Sequence, residues 1–286
     1  MTSAALPRAW ARLGEVDPRY LVSFLITLIL VVGEARYGIL GGYDRLAIAL
    51  GVCVVTELAL ARLVGGRGAA LQSAYVTGIS LALLLKPQTG VLWPFALGAF
   101  LAIASKFVLA YRGRHLWNPS NFAIGLLLVI APGSVAILSH QWGNHLATNV
   151  VIWGFGLLIA SRVGVLHVTL TYVVCYALLA AARGAIVGTP VVAELAPITG
   201  PMYQLFIFFM ITDPKTTVGS MRGRVAVAAL VAVVEASIRL AADYHVAALS
   251  LLYPAPPILA LAIVGPIAKV VDLAYCDNFH KPVTHP

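Results

Sequence analysis

The amino-acid sequence predicts an all-α, polytopic membrane protein with about ten transmembrane helices. Of its 286 residues, 60% are hydrophobic and only 10% are charged, whereas a soluble domain carries about 25% charged residues. The mean hydropathy is +0.93. A soluble core in a chain of this size buries only about three quarters of the surface exposed by the unfolded chain. The remaining apolar surface therefore requires lipid as its solvent.

Ten apolar runs, bounded by Gly, Pro or charged residues, follow one another along the chain. They cover about 19–33, 44–64, 71–86, 91–111, 119–138, 146–162, 164–183, 198–212, 222–242 and 257–275. A helical span needs about 20 apolar residues, and a backbone in hydrocarbon must satisfy its own hydrogen bonds. Since the runs lack the alternation of barrel strands, each is predicted to be a helix.

The distribution of Lys and Arg predicts the orientation of these spans. Fourteen of the nineteen basic residues fall on one side, and the other side holds only Arg36, Arg45, Lys86, Arg183 and Arg239. By the positive-inside rule, both termini are expected in the cytoplasm, and the protein in the bacterial inner membrane. Because the basic residues lie at the ends of apolar runs, the net charge of +8 indicates no nucleic-acid partner.

The two halves of the chain echo each other. Thr77-Gly78, an apolar run and Lys86-Pro87 in the first half match Thr199-Gly200, an apolar run and Asp213-Pro214 in the second. With five spans in each half, the second half enters the membrane in the opposite orientation, which predicts an inverted repeat. The third and eighth spans are short and have Gly or Pro at their edges, as broken helices do.

This repeat predicts the domain organisation. The expected parts are a cytoplasmic N-terminal segment 1–18, a first five-helix repeat 19–138, a second five-helix repeat 139–275 and a cytoplasmic tail 276–286.

The segment from His115 to Asn121 offers several polar side chains where the fifth span begins. In one interpretation, Asn118 caps the helix and Pro119 occupies its first turn. In the other, His115, Asn118 and Asn121 supply imidazole and amide groups to a polar heterocycle between helices. The sequence leaves both interpretations open.

Charged residues within or near the spans are the other candidates. An Asp-Pro turn such as Asp213-Pro214 is a common loop signal, but a carboxylate near hydrocarbon costs free energy, which favours a function for Asp213. Lys106 and Glu235 occupy similar places in the fourth and ninth spans, so one hypothesis is an ion pair between the repeats. Alternatively, Lys106 snorkels to the interface.

The cysteines and histidines predict no metal site. Cys53 and Cys175 lie inside apolar runs and are expected to be small buried side chains. His140, Asn144 and His145, between the fifth and sixth spans, fit no common metal motif and are expected in an exposed turn.

Four motifs together resemble one protein family in order and spacing. They are Tyr75 to Pro87, Ser105 to Val108, His115 to Pro119 and Phe209 to Pro214. The family is the flavin-carrying membrane subunit shared by the sodium-translocating NADH:quinone reductase, as its B subunit, and the Rnf complex, as its D subunit (NqrB/RnfD). The resemblance covers about residues 70 to 220.

The resemblance implies a ten-helix, inverted-repeat fold related to urea channels, in which a flavin acts as an electron relay. It implies a non-covalent flavin, riboflavin or FMN, and either membrane or soluble redox partner subunits or a quinone. By motif position, the implied cofactor-binding residues are Asn118, Asn121, His115, Asp213, Thr77 and Thr212. His115 stands where the quinone-reductase subunit has an asparagine. No catalytic residue is implied, so the chain resembles a component of an oxidoreductase complex.

The chain departs from the family at the covalent FMN site. The family subunits attach FMN to the Thr of a Ser-Gly-Ala-Thr motif after the fifth span, and the corresponding loop, from Ser139 to Thr148, has no such motif. Covalent FMN is therefore not expected, and the chain is similar to the shorter, solitary relatives of the family.

Two other classes of function are compatible with the same sequence. An inverted repeat also builds channels and transporters for a small solute or ion. A third possibility is an assembly subunit of a larger membrane complex. A flavin in the purified protein would favour electron transfer over both alternatives.

Overall fold

The computed structural model describes residues 18–64, 68–88, 90–138 and 145–278. The expected N-terminal segment before residue 18, the end of the tail after 278, and His140 and Asn144 lie outside these residues. Within them, each of the ten apolar runs contains a helix.

The elements in chain order define the labels used below. The helices of the first half are α1 (Pro18–Tyr37), α2 (Tyr43–Val64), α3 (Leu71–Leu84), α4 (Trp93–Val108) and α5 (Pro119–Ile130). Those of the second half are α6 (Leu146–Val163), α7 (Leu166–Val187), α8 (Val191–Leu195), α9 (Pro201–Leu205), α10 (Met221–Asp243) and α11 (Pro256–Asn278). Short 3-10 helices cover Ala196–Thr199 and Ala247–Leu252, and a π-helical turn covers Phe206–Met210. Four short strands are β1 (Leu85–Pro87), β2 (Ala110–Tyr111), β3 (Arg114–His115) and β4 (Val135–Ile137).

Several of these helices are long and apolar enough to cross a membrane. In the described part of the chain they number six, namely α1, α2, α6, α7, α10 and α11, and the bent segment from Val191 to Met210 makes a seventh if it is taken as one span. The helices α3, α4 and α5 have only 14, 16 and 12 residues. The protein is thus mainly helical and has the composition of a multi-pass membrane protein, with fewer full-length spans than the ten apolar runs predict.

The third and fifth spans both end in extended backbone, which corrects the expectation that the fold is purely α. After α3, β1 pairs antiparallel with β4, and Leu85 lies opposite Ile137. The fifth run was predicted to stay helical to residue 138, but α5 ends at Ile130, two residues before Pro132. Pairing the two extended segments satisfies backbone groups that hydrocarbon could not.

The eighth span is broken, as its edges predict. The segments Val191–Thr199 and Pro201–Met210 meet at an angle of 63°, and Pro201 begins the second of them, where its missing N–H costs nothing. The π-helical turn then widens the helix, with the Ile211 N–H donating to the Phe206 carbonyl at 3.0 Å. Such turns are frequent at functional sites.

Helix packing follows a related pattern in the two halves. In the first half α2 packs on α4 and α4 on α5, and in the second half α7 packs on α10 and α10 on α11. Between the halves, α1 packs on α6 and α5 on α11. Gly78 lets α3 approach α2 closely, since a Cβ at this position would lie 3.0 Å from the Leu50 Cα.

Candidate functional site

The main candidate site is a cavity between the two halves of the chain. Its volume is about 230 Å³, whereas one water needs only about 10 to 15 Å³ on the same scale. The beginnings of α1, α3 and α5 and the ends of α4 and α6 line it, together with the π-helical turn and the residues after it. We call the side of the protein where these helix ends lie the cavity face. Five of the six predicted site residues line the cavity, namely Thr77, His115, Asn118, Thr212 and Asp213.

Asn118 caps a helix and also links the two halves. Its Oδ1 accepts from the Asn121 backbone N–H at 3.1 Å, and Pro119 begins α5. Its Nδ2 donates to Asp213 Oδ2 at 3.2 Å and to the Phe209 carbonyl at 3.4 Å. The capping interpretation is therefore confirmed, and the same side chain also reaches the cavity wall in the second half.

Asp213 is the acidic group of the cavity. Its half-buried carboxylate accepts from Asn118 through Oδ2 and from the Lys215 backbone N–H through Oδ1 at 3.0 Å. Thr212, beside it, is buried. The break after the π-helical turn thus places a carboxylate and a hydroxyl at the wall of the cavity, where both can face a polar ligand.

The opposite wall is built on α3 and α4. Ser73 and Thr77 are four residues apart on α3, so they share one face of the helix, and Thr77 Oγ1 donates to the Ser73 carbonyl at 2.7 Å. Lys106 of α4 donates to Ser73 Oγ at 3.0 Å and to Glu57 Oε2 at 3.2 Å. Lys106 is only 5% exposed. Its charge is neutralised by Glu57 inside the protein, and its side chain does not snorkel to the interface.

Two polar atoms at the cavity lack a hydrogen-bond partner. They are His115 Nδ1 and Gln72 Nε2, and both are buried. Desolvation, followed by the nearby Lys215, lowers the pKa of His115 below its ordinary value, which favours the neutral imidazole at pH 7. Since unsatisfied buried polar atoms cost about 1 to 3 kcal/mol, a ligand that pairs with them gains that free energy.

The remaining wall is apolar and aromatic. Phe208 and Phe209 of the π-helical turn line the cavity, and Phe208 packs against Trp153 with ring centroids 5.2 Å apart. Gly156 of α6 leaves room for the Phe208 ring, because a Cβ there would lie 2.3 Å from Phe208 Cζ. The cavity therefore combines a flat apolar wall with a few polar groups, as small-molecule sites do.

Asn121 and Lys86 lie away from this cavity. Asn121 is buried, and its Nδ2 donates to the Ile258 carbonyl of α11 at 2.9 Å. It lines a separate cavity of only about 20 Å³. Lys86, which precedes Pro87 in the first-half motif, donates to the Ile39 carbonyl.

The hypothesis of an ion pair between Lys106 and Glu235 is wrong. Lys106 pairs with Glu57 within the first half, and Glu235 pairs with Arg239 of its own helix at 3.0 Å. Glu235 also accepts from the hydroxyls of Tyr172 and Tyr203. Each half thus neutralises its own buried charges, because a partner on the same helix or on a neighbouring one is closer than the one across the repeat.

Several residues that line the cavity were not predicted from the sequence. They are Ser23, Gln72, Ser73, Gly156, Phe208 and Lys215. The four-residue spacing of Ser73 and Thr77 is a signal that could have identified Ser73. No group of three or more potential metal ligands occurs among the described residues. Cys53 is buried, as expected, and Cys175 is half-buried.

Sequence comparison with known proteins assigns neither a family nor a function to the chain. No protein-family model matches the chain, and no curated protein is significantly similar to it in sequence.

Proposed function

We propose that this chain is a membrane electron-transfer protein that binds a flavin non-covalently in the cavity between its two halves. It would relay electrons to or from a partner redox protein or a quinone, as a component of an oxidoreductase complex. The flavin would supply the one-electron chemistry, and the protein would supply binding, orientation and the local electrostatic potential.

One observation carries this proposal. Three motifs far apart in the sequence contribute Thr77, His115, Asn118 and Asp213 to the wall of a single cavity of about 230 Å³, and the fourth contributes Lys106. The cavity has the chemistry that a flavin requires, since an isoalloxazine ring is flat and apolar on its faces and polar along its pyrimidine edge. Phe208 and Phe209 provide an apolar wall, and the unpaired His115 Nδ1 and Gln72 Nε2 provide polar groups.

The residues divide into three roles toward such a ligand. Asn118 would hold a polar edge in place, because its amide group is itself fixed by the α5 backbone and by Asp213. Lys106 and Asp213 would set the local charge, and therefore the ease with which the ligand takes an electron. Phe208 would exclude water from the apolar face.

The arrangement of helices supports an inverted repeat of five plus five segments. The packing of α2 on α4 and α4 on α5 is repeated by α7 on α10 and α10 on α11. The contacts of α1 with α6 and of α5 with α11 join equivalent helices, as a two-fold axis in the membrane plane requires. We propose that the cavity face is cytoplasmic, together with both termini, in the bacterial inner membrane.

The first test is an absorbance spectrum of the detergent-purified protein, followed by acid precipitation and chromatography of the released pigment. Near-stoichiometric flavin in the supernatant is the expected result. Flavin in the pellet would contradict the expectation of non-covalent attachment, and a colourless protein would contradict the function itself.

Variants test the site. Asn118→Ser retains a capping oxygen but loses the amide that donates to Asp213, and Asp213→Leu removes the carboxylate. Both are expected to lower flavin content at least fivefold, because an unsatisfied polar contact in the site costs about 1 to 3 kcal/mol. The control is His145→Ala, which changes a residue that does not line the cavity. Equal flavin content in all three variants, with unchanged helicity, would refute the site.

A solute transporter is the second candidate, and one observation favours it. Another cavity, of about 270 Å³, is lined by Arg183, Arg239 and Tyr203 near the ends of α7 and α10. Two separate cavities between the halves of an inverted repeat suit alternating access. A colourless protein that moves a solute into proteoliposomes would establish this alternative and exclude the first.

A further inference from the structure

A group of basic side chains lies on the cavity face, where three separate chain segments meet. Its members are Arg112 and Arg114 of the β2–β3 hairpin, Lys215 after the π-helical turn together with Arg224 in the first turn of α10, and Lys269 of α11. We call this group the basic patch. Arg112, Arg114 and Lys215 are exposed, and Lys215 also lines the flavin cavity. The basic patch therefore adjoins the opening of the proposed redox site.

Electrostatic interactions join three members of the basic patch. Lys269 interacts with Arg114 and Arg224, which raise the local positive potential, and with Asp213 and Asp272. Three basic groups thus share two carboxylates, and the exposed Lys215 adds a fourth positive charge beside them. Asp272 is engaged in fixing the loop, since it accepts from the Gly219 N–H at 2.9 Å. The exposed surface is left with an excess of positive charge.

The hairpin that carries two of these arginines is held in a fixed position. Arg112 and Gly113 form its two-residue turn with φ values of 53° and 74°, which is the left-handed geometry that normally favours Asn or Gly at the first position. Arg112 nevertheless occupies it, and its Nη1 donates to the Leu273 carbonyl of α11 at 3.2 Å. A long cationic side chain in a strained position, tied to a neighbouring helix, indicates a built surface.

Orientation in the membrane alone does not account for this cluster. To set the orientation in the membrane, basic residues only have to lie in the connecting segments. They do not have to come together from three segments, and no lysine has to be buried beneath them. Lys269 is fully buried, and its ammonium donates to the Thr217 carbonyl. Burying a lysine beneath a surface that is already positive costs free energy, because the ammonium group loses its water. The fold accepts this cost, and we take the positive electrostatic potential of the surface to be the feature that it maintains.

We propose that the basic patch is the docking surface for the acidic face of a soluble electron-carrier protein. The inference rests on the proposed function, because it places the carrier's redox centre over the opening of the flavin cavity. Electron-transfer complexes are small and weak, with less than about 1,200 Å² buried. Complementary charge supplies their orientation and their fast association.

The experiment measures binding of a small acidic [2Fe–2S] ferredoxin, used as the probe, to the protein in nanodiscs of zwitterionic lipid. We expect binding at 50 mM salt that weakens at least tenfold at 300 mM, because exposed charges are screened beyond about a Debye length. Arg114→Glu and Lys215→Glu are each expected to weaken binding at least fivefold at 50 mM salt. The matched control is Arg62→Glu, which makes the same change of charge at an exposed position at the end of α2, outside the patch.

Each other outcome overturns the proposal. If Arg62→Glu weakens binding as much as the patch variants, the attraction belongs to the general charge of the cavity face. If the ferredoxin does not bind, and the patch variants instead lose co-purified phosphatidylglycerol, the patch contacts anionic lipid. Because binding does not require flavin, the two failures are distinguishable. A colourless protein that still binds the ferredoxin refutes the proposed function and the carrier's redox role, whereas a flavin-containing protein that does not bind the ferredoxin refutes the docking surface alone.

Discussion

The two halves of the molecule treat buried charge in different ways. In the first half, the pair of Glu57 and Lys106 joins α2 to α4, and Lys106 also forms part of the cavity wall. In the second half, the corresponding helices α7 and α10 are joined by Arg183, which donates to Asp243 at 2.6 Å. The acid lies on the first helix of the pair in one half and on the second in the other.

The second half also holds a much denser hydrogen-bond network. Glu235 accepts from Tyr172, Tyr203 and Arg239, and Arg239 donates in addition to the Tyr203 hydroxyl. Arg183 further donates to Glu194. Each member of this network has a protein partner. Among the described residues, the unpaired buried atoms of this half, His167 Nε2 and Thr169 Oγ1, lie outside the network, whereas the unpaired His115 Nδ1 and Gln72 Nε2 belong to residues that line the cavity.

This difference teaches where a ligand can gain free energy. A satisfied network stabilises the fold and offers little to a ligand. A wall with unpaired polar atoms stabilises the fold less, and a ligand that pairs with those atoms gains free energy. The seam between the halves, rather than the network of the second half, is therefore the place where we propose that a ligand binds.

The largest expected effect comes from breaking the second-half network. Glu235→Gln leaves Arg239 without its buried counter-ion, and we expect a loss of about 3 to 5 kcal/mol in the free energy of unfolding. Glu57→Gln should cost only about 1 to 3 kcal/mol, because Lys106 retains Ser73 and reaches the cavity. Unfolding in mixed detergent micelles measures both, and equal losses would contradict the contrast between the halves.

An intermediate effect is expected at the aromatic wall. Gly156→Ala places a methyl group against Phe208, which must move into the cavity, and overpacking of this kind costs about 1 to 3 kcal/mol. Flavin affinity should fall fivefold or more. Gly154→Ala is the matched control, since a Cβ there meets no atom within 4 Å. The measurement is the flavin content of the two purified variants, and identical contents would exclude Phe208 from the site.

The smallest effect concerns pH. Because the pKa of His115 is lowered, the unfolded chain binds its proton first, near pH 6.5. The group therefore has no effect on stability well above that pH and destabilises the fold as the pH falls below it. The charged imidazole would also lie beside Lys215, so flavin affinity should fall about twofold between pH 7 and pH 5.5. Titration of flavin fluorescence measures this, and His115→Gln should abolish the change. A change that persists in His115→Gln would assign it to another group.

The sequence by itself determined which segments contain a helix and that the eighth span is broken. The apolar runs, the Pro and Gly at their edges and the polar pairs Thr77-Gly78 and Thr199-Gly200 are local features, and hydrogen-bond satisfaction in lipid leaves such runs few alternatives to a helix. Local rules also gave capping as one of two interpretations of Asn118, because capping depends only on a side chain and the next turn. They also identified Asp213 and His115 as candidate site residues.

Only the tertiary structure decided how these pieces meet. The end of α5 at Ile130 depends on pairing between β1 and β4, which are about fifty residues apart in the chain. The separation of Asn121 from the cavity depends on its bond to Ile258 of α11. The choice of Glu57 rather than Glu235 as the partner of Lys106 depends on distances between helices. Each outcome rests on a contact between distant segments, and the local pattern of a sequence carries no information about which of several equally suitable partners comes within reach.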